Sequence, residues 1–199
     1  MKTYKGIVSV IKGFILWTLL ACLTPFFSYG QTCSYRVLPL GDSITVGSNA
    51  STTDNNYKVG YRQQLYLDLI HRGYDVDFVG GQESGSLAQP PFDIDHEGHG
   101  GWCADGCGST RDILDNVGFF LTNNPADVVL LHIGTNDISN NHANAAEIEA
   151  ILDEIYQYDA DIIVVLARII NRGDDKALQT TEFNDAVEAI AESRPEYGD

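Results

Sequence analysis

Apolar residues follow two spacings along the chain, and the two spacings alternate. Short segments that are wholly or partly apolar are typical of strands, and they occur at residues 35–40, 76–79, 128–133 and 162–167. Apolar residues three and four positions apart are typical of helices, and they occur at residues 61–72, 109–121, 148–155 and 183–190. The pattern therefore predicts four strands and four helices in alternation.

This alternation predicts a three-layer α/β/α domain around a parallel sheet, because right-handed crossovers place helices on both faces of the sheet. The runs at 128–133 (VVLLHI) and 162–167 (IIVVLA) are apolar enough for strands buried on both faces. In a flavodoxin-like strand order, the first and third strands are neighbours. Residues 80–108 show no periodicity and predict a long loop, after which Ser109, with Asp112 as its capping partner, predicts the start of a helix.

The first thirty residues have the features of a secretory signal peptide. Three lysines precede an apolar stretch that is too short for a comfortable membrane span, and a small-x-small site follows at residues 28–30. We therefore expect cleavage after residue 30, a mature domain at residues 31–199 and an extracellular protein. Two alternatives are an uncleaved anchor and a lipoprotein signal with Cys22 as the lipidated residue.

The chain is acidic, with 28 Asp and Glu against 12 Lys and Arg and a formal charge of -16. Without residues 1–30, 9 basic groups remain against 28 acidic groups, which gives a net charge of -19. Phosphate backbones and anionic lipid repel such a surface. Nucleic acid is therefore not an expected partner, and neither is a membrane once the signal is removed.

The sequence stops at Asp199, directly after the last predicted helix. The alternation of elements predicts one more strand and one more helix at this point. We therefore expect that the α/β domain is truncated at its C-terminus.

Polar clusters follow the predicted strands, where parallel sheets bind their ligands. Residues 41–45 (GDSIT) follow the first strand, residues 96–102 (HEGHGGW) lie late in the long loop, and residues 134–137 (GTND) follow the third strand. We expect Ser43 and Asn136 to face one crevice. The aspartates of the first and third clusters are expected to hydrogen-bond the backbone of their own loops.

Taken together, four segments carry a resemblance to a known group of enzymes: VLPLGDSITVG, VDFVG, HEGHGGW and VLLHIGTND. They resemble the SGNH-type (GDSL-like) hydrolase superfamily and are most similar to carbohydrate esterase family three, which includes acetylxylan esterases. The resemblance runs from about Val37 to the C-terminus. It implies the SGNH hydrolase fold and a carboxylic ester hydrolase that needs no cofactor.

The resemblance also implies roles for three residues. Ser43 would be the nucleophile, and its backbone N–H, the backbone N–H of Gly101 and the side-chain amide of Asn136 would form the oxyanion hole. Glycine lets the backbone approach a substrate, and an asparagine amide donates without adding charge. Losing one such donor typically costs roughly 3 kcal/mol of transition-state stabilisation.

A serine nucleophile also needs a histidine base and a carboxylate that orients the histidine. In the family both come from an Asp-x-x-His motif near the C-terminus, and this chain has no such motif there. The same pattern occurs at Asp93 and His96, ahead of the oxyanion glycine, and these two residues are the alternative pair. We expect the base and its aspartate to lie outside this chain and the chain itself to turn over little substrate.

Four residues close together in sequence could instead ligate zinc: His96, His99, Cys103 and Cys107. The other interpretation, which needs no metal, is that the histidines shape the loop and the cysteines form a local disulfide. We also expect His132 to be a hydrogen-bonded core residue.

The expected function is that of a secreted serine esterase that removes acetyl groups from plant cell-wall polysaccharide, such as xylan, through an acyl-enzyme. The expected substrate is an acetylated polysaccharide or a small ester. Two alternatives remain: a non-catalytic carbohydrate-binding relative, and a lipid or thioester hydrolase of the same superfamily.

Overall fold

A mostly parallel sheet forms the centre of the computed structural model, which describes residues 34–49, 51–108 and 110–194. Its strands are β1 (Tyr35–Gly41), β2 (Val76–Phe78), β3 (Gln82–Glu83), β4 (Asp95–Gly98), β5 (Val128–His132) and β6 (Ile163–Leu166). The predicted signal peptide at residues 1–30 lies outside the described residues.

Strand β1 lies in the middle of the sheet. On one side it pairs along its length with β5, which pairs in turn with β6. On the other side β2 pairs with the first half of β1, and β4 pairs with Leu40 and Gly41 at its end. All these pairs are parallel, and only β3 runs antiparallel to its neighbour, β4. The path β2–β1–β5–β6 has the flavodoxin-like arrangement that the sequence predicts.

Helices cover both faces of this sheet. They are α1 (Ser43–Val46), α2 (Arg62–His71), α3 (Ile113–Asn123), α4 (Thr135–Ser139), α5 (Ala145–Tyr158) and α6 (Ala177–Ser193), with a short 3-10 helix at Asn55–Tyr57. The larger core packs α3, α5 and α6 against one face, and α2 packs against β1 and β2 on the other. The predicted three-layer α/β/α architecture is therefore confirmed.

The segment at residues 80–108 is not a plain loop, since it contains β3 and β4. Strand β4 escaped prediction because its sequence, DHEG, is polar, although His96 and Glu97 within it are buried. The helix predicted from Ser109 begins instead at Ile113, and Ser109 itself lies outside the described residues. The Asp112 side chain does not cap that helix, because its Oδ1 accepts a hydrogen bond from the backbone N–H of Cys107.

Strand β6 is buried on one face only, so the prediction that both of its faces are covered is wrong. Val164 is 8% exposed, whereas Ile163 and Val165 are 60% and 51% exposed. A cavity of about 690 Å³ lies over the open face, lined by Leu130, Val165 and Ile170 among others. Among the described residues, no helix has the length and apolar character needed to span a bilayer.

Candidate active site

Ser43 is the first residue of α1, directly beyond the end of β1. The Asp42 side chain caps this helix, with Oδ1 accepting a hydrogen bond from Ile44 N at 2.8 Å. Gly41 is required here, because a Cβ at this position would lie 2.1 Å from the backbone oxygen of His132 on β5. The tight turn from β1 into α1 therefore holds Ser43 at the carboxyl edge of the sheet, partly exposed to solvent.

Asn136 occupies the matching position after the neighbouring strand, in the first turn of α4. Gly134 precedes that helix with φ of +124°, and a Cβ there would lie 2.6 Å from the ring of Phe183, so this turn also requires glycine. The Asn136 side-chain amide donates a hydrogen bond to the backbone oxygen of Trp102 at 2.7 Å. An amide nitrogen carries two hydrogens, so a second one remains for a ligand.

Gly101 lies in the exposed turn between β4 and Trp102. Its φ is +81°, a conformation that side chains with a Cβ rarely adopt, although no atom stands where a Cβ would be. This loop is anchored to β1 by a 2.8 Å hydrogen bond from His99 N to the backbone oxygen of Gly41. Two hydrogen bonds, His99 to Gly41 and Asn136 to Trp102, thus link the loop of Gly101 to the segments of Ser43 and Asn136.

The side chain of His99 stiffens the same loop. Its ring stacks on Trp102 at a centroid distance of 4.0 Å and on Phe120 at 5.1 Å. Its Nε2 lies 2.6 Å from Oε1 of the buried Glu97, whose Oε2 accepts a hydrogen bond from Gly81 N at 2.7 Å. His99 therefore has a structural part in the site, as the interpretation without zinc predicts.

His96 and Asp93 do not form a catalytic pair in this structure. His96 is buried, its Nδ1 accepts a hydrogen bond from Gly98 N, and its Nε2 lies 2.9 Å from Ser84 Oγ. Burial, together with the charge of Arg62, lowers the pKa of His96 to about 3. The Asp93 carboxylate accepts hydrogen bonds from the backbone N–H groups of Phe78 and Asp95.

A buried arginine donates hydrogen bonds to the backbone of α1, and its role was not predicted from the sequence. Arg62 is 0% exposed and has no carboxylate partner among its hydrogen bonds. Its guanidinium donates to Ser84 Oγ and to five backbone oxygens, which belong to Thr45, Val46, Lys58, Ser84 and Ile94. Burial lowers the pKa of Arg62 to about 10, so the group stays charged at neutral pH. The apolar positions of α2 gave no sign that its first residue is buried.

The two aspartates of the motifs are fully buried. Asp42 hydrogen-bonds its own loop as expected, and burial raises its pKa to about 6. Asp137 also reaches another loop, since its Oδ1 accepts from Ala104 N at 2.9 Å, and burial raises its pKa as well. The carboxylate of Asp137 thus holds the 99–112 segment against α4, a contact that the sequence did not predict.

The four candidate zinc ligands of the long loop do not meet. Cys103 and Cys107 form a disulfide, whereas His96 and His99 bond to Ser84 and Glu97. The interpretation with a local disulfide therefore describes the loop correctly.

Two further histidines lie between β5 and α5. His132 is buried, as predicted, but its Nδ1 has no hydrogen-bond partner. His142 is partly buried, and its Nε2 lies 3.8 Å from both disulfide sulfurs. Within the described residues, no side chain hydrogen-bonds the Ser43 hydroxyl. The catalytic roles of Ser43, Gly101 and Asn136 stay predictions.

The fold and the polar segments at its strand ends are those of the carboxylic ester hydrolases that carry a GDSL motif. Residues 40–198 match the GDSL-like Lipase/Acylhydrolase family, and the chain belongs to that family.

Three known proteins are similar to the chain. A multidomain esterase of Ruminococcus flavefaciens is 35% identical over an alignment of 130 residues, and the match covers 56% of this chain and 16% of that protein. A family 3 carbohydrate esterase of Clostridium thermocellum has a TM-score of 0.68 and 29% identity, over 83% of this chain and 74% of that one. An acetyl esterase mutant crystallised with an acetate ion has a TM-score of 0.65 and 26% identity, over 81% and 75%. The chain thus spans about a sixth of the curated relative that it matches.

Proposed function

We propose that this protein is a secreted serine esterase that removes acetyl groups from a plant cell-wall polysaccharide such as xylan. Ser43 attacks the acetyl carbonyl and forms an acyl-enzyme, which water then hydrolyses. The backbone N–H groups of Ser43 and Gly101 and the side-chain amide of Asn136 stabilise the oxyanion. Hydrogen-bond donors that are fixed in advance and point at the developing charge make the largest single contribution to the rate enhancement in many such reactions.

One observation carries this proposal: the three polar segments are joined at the carboxyl edge of the sheet. Gly41 pairs with both Gly98 on β4 and His132 on β5, so all three segments leave the sheet at one level. The hydrogen bonds of His99 N and Asn136 Nδ2 then connect the loop of Gly101 to the other two. Ligands bind at such edges in open parallel sheets.

The choice of an acetyl ester rests on the similar structures. The Clostridium thermocellum protein is a family 3 carbohydrate esterase, and the other is an acetyl esterase with an acetate ion. Polysaccharide as the carrier of the acetyl group, and secretion by way of residues 1–30, are parts of the same proposal. N-terminal sequencing of the exported protein tests the secretion, with Gln31 as the expected first residue.

The general base of this reaction comes, in our proposal, from outside residues 34–194. His96, His99 and His142 are engaged with Ser84, Glu97 and the disulfide, respectively. His71 is exposed at the end of α2. His132 is buried, and no hydrogen bond joins it to Ser43 among the described residues. In this proposal a histidine with its orienting aspartate is supplied by another segment of polypeptide.

Hydrolysis of p-nitrophenyl acetate tests the nucleophile. It is measured for the 199-residue chain and for any longer polypeptide that the same reading frame encodes. Ser43→Ala is expected to abolish turnover, whereas the control Ser48→Ala, a change of an exposed serine five residues further on, is expected to retain it. Unchanged turnover in Ser43→Ala would remove Ser43 from the mechanism. Rapid turnover by the 199-residue chain would contradict the proposed origin of the base and point to His132.

Substrate comparison tests the acetyl specificity. Acetate release from acetylated xylan should exceed acyl release from long-chain esters and thioesters, and the reverse order would indicate a lipid or thioester hydrolase. A protein that binds xylo-oligosaccharide, but is neither hydrolytic nor labelled by a fluorophosphonate, would be the non-catalytic relative.

A further inference from the structure

Three potential metal ligands meet behind the oxyanion segment. Asp137 lies in α4, His142 lies in the link between α4 and α5, and Glu147 lies in the first turn of α5. Their spacing of five and five residues brings the ligand atoms within 4.8 Å of one another. A backbone hydrogen bond from His142 N to the oxygen of Asp137, 3.1 Å long, closes the link between the helices.

The ligand atoms of this cluster are buried and make no hydrogen bond. Asp137 Oδ2, His142 Nδ1 and Glu147 Oε2 are shielded from solvent and have no hydrogen-bond partner, and the ion-pair contact of His142 Nδ1 with Asp137 Oδ1 is 4.0 Å long. Asp137 is fully buried as a residue, and its other oxygen is already used by Ala104 N. Leaving one buried polar atom without a partner is costly, and three that converge on one point indicate a binding site.

The charge of the cluster indicates a cation. The charge of two carboxylates is the charge that one divalent ion neutralises. The two carboxylates, whose ligand atoms lie within 4.8 Å of each other, repel one another, and a divalent cation between them would remove this repulsion.

We propose that Asp137, His142 and Glu147 bind one zinc ion through Oδ2, Nδ1 and Oε2. The imidazole nitrogen favours zinc over the hard cations calcium and magnesium, which prefer oxygen alone. Metal–ligand distances near ~2.1 Å require the three atoms to lie within ~4.2 Å of one another. Small rotations of the His142 and Glu147 side chains, both partly exposed, would bring the atoms to this separation. A water molecule would complete the tetrahedral coordination.

The ion has a structural effect rather than a catalytic one. It joins α4 to α5, and through the second oxygen of Asp137 it also holds the loop at Ala104. Asn136 directly precedes Asp137, so the ion fixes the segment that presents the side-chain amide to the crevice. This inference departs from the expectation that the protein holds no metal, and it does not depend on the esterase proposal.

Zinc binding to the metal-free protein tests the proposal. The disulfide is kept intact, and the absence of free Cys103 and Cys107 thiols is checked, because thiolates also bind zinc. Isothermal titration is expected to give one zinc per chain. The midpoint of thermal unfolding should rise by roughly 5 to 10 °C at a zinc concentration about one hundred times the Kd.

Substitution of one ligand locates the site. Glu147→Gln should weaken zinc binding at least ~100-fold, since even residues that only support a metal ligand contribute roughly 10- to 100-fold. Glu149→Gln, an exposed position on the same helix, is the matched control and should bind like the parent. Circular dichroism and thermal unfolding of both metal-free variants verify that they fold. The proposal is overturned if zinc does not bind, if Glu147→Gln binds as tightly as the control, or if only calcium binds.

Discussion

The carboxyl group of Asp42 stands directly before the proposed nucleophile, and its ionisation works against the fold. Asp42 is fully buried, Oδ1 accepts a hydrogen bond from Ile44 N, and Oδ2 has no partner. Burial raises the pKa of Asp42 from 3.8 to about 6, and the neighbouring charge of Asp137 adds to the increase. Asp42→Asn keeps the acceptor for Ile44 N and removes the ionisation.

The sign of the effect follows from the direction of the pKa shift. The folded state binds the proton of Asp42 more tightly than the unfolded chain does, so this proton stabilises the fold, and the stabilisation is fully present below about pH 4. It is lost as the pH rises through about 6. A shift of this size, at ~1.36 kcal/mol per pKa unit, is worth about 3 kcal/mol of unfolding free energy. The amide that replaces the carboxyl group does not titrate, so any cost of burying it is the same at every pH. This cost therefore does not alter the difference in unfolding free energy between two pH values.

Urea unfolding at about pH 4 and about pH 8 measures this difference. Relative to the parent protein, Asp42→Asn should gain about 3 kcal/mol of unfolding free energy between the lower and the higher pH. The control Asp54→Asn changes an exposed aspartate that caps the 3-10 helix and should show no such gain. An effect of Asp42→Asn that is equal at the two pH values would refute the reasoning.

Three further predictions concern the groups that hold the site together. In a urea titration, Arg62→Met should lower the unfolding free energy by at least ~3 kcal/mol, because each buried carbonyl oxygen that loses its donor costs about 1–3 kcal/mol. The control Arg72→Met, at an exposed position, should cost little. His99→Phe keeps the aromatic stack but leaves the buried Oε1 of Glu97 without its partner. We expect a loss of about 2 kcal/mol of unfolding free energy, and an unchanged unfolding midpoint would contradict this. Reduction of the Cys103–Cys107 disulfide, which closes a loop with a separation of only 4 residues, should cost about 2 kcal/mol, and a cost near zero in calorimetry would show that the loop is held by its other contacts.

Much of the fold is predictable from the sequence because it depends on local periodicity. The apolar run at residues 128–133 became β5, and the four apolar positions of α5, Ile148, Ile151, Leu152 and Ile155, are all buried as predicted. Strand β4 was missed because its polar residues are buried by tertiary contacts that no local pattern reveals. The same holds for β6, whose apolar sequence gives no information on which of its faces a helix covers.

The residues of the candidate site also fall into two groups, those that local sequence predicts and those that only tertiary contacts reveal. The motifs of Ser43, Gly101 and Asn136 could be found from the sequence because each follows a predictable strand or carries a recognisable string. Arg62 and His142 could not, since an arginine within a helical pattern is usually exposed and an isolated histidine has no signature. Their roles arise from contacts between distant segments, such as Arg62 with Thr45 across 17 residues and His142 with Cys107 across 35 residues.

The convergence of one hydroxyl and three N–H donors on a single acyl group is tested most directly by a crystal structure of a covalent adduct. The polypeptide that hydrolyses p-nitrophenyl acetate is allowed to react with a fluorophosphonate. The account predicts phosphorus bonded to Ser43 Oγ, with one phosphoryl oxygen ~2.7–3.1 Å from Ser43 N, Gly101 N and Asn136 Nδ2. An adduct on another residue, or a phosphoryl oxygen directed away from Asn136, would contradict it.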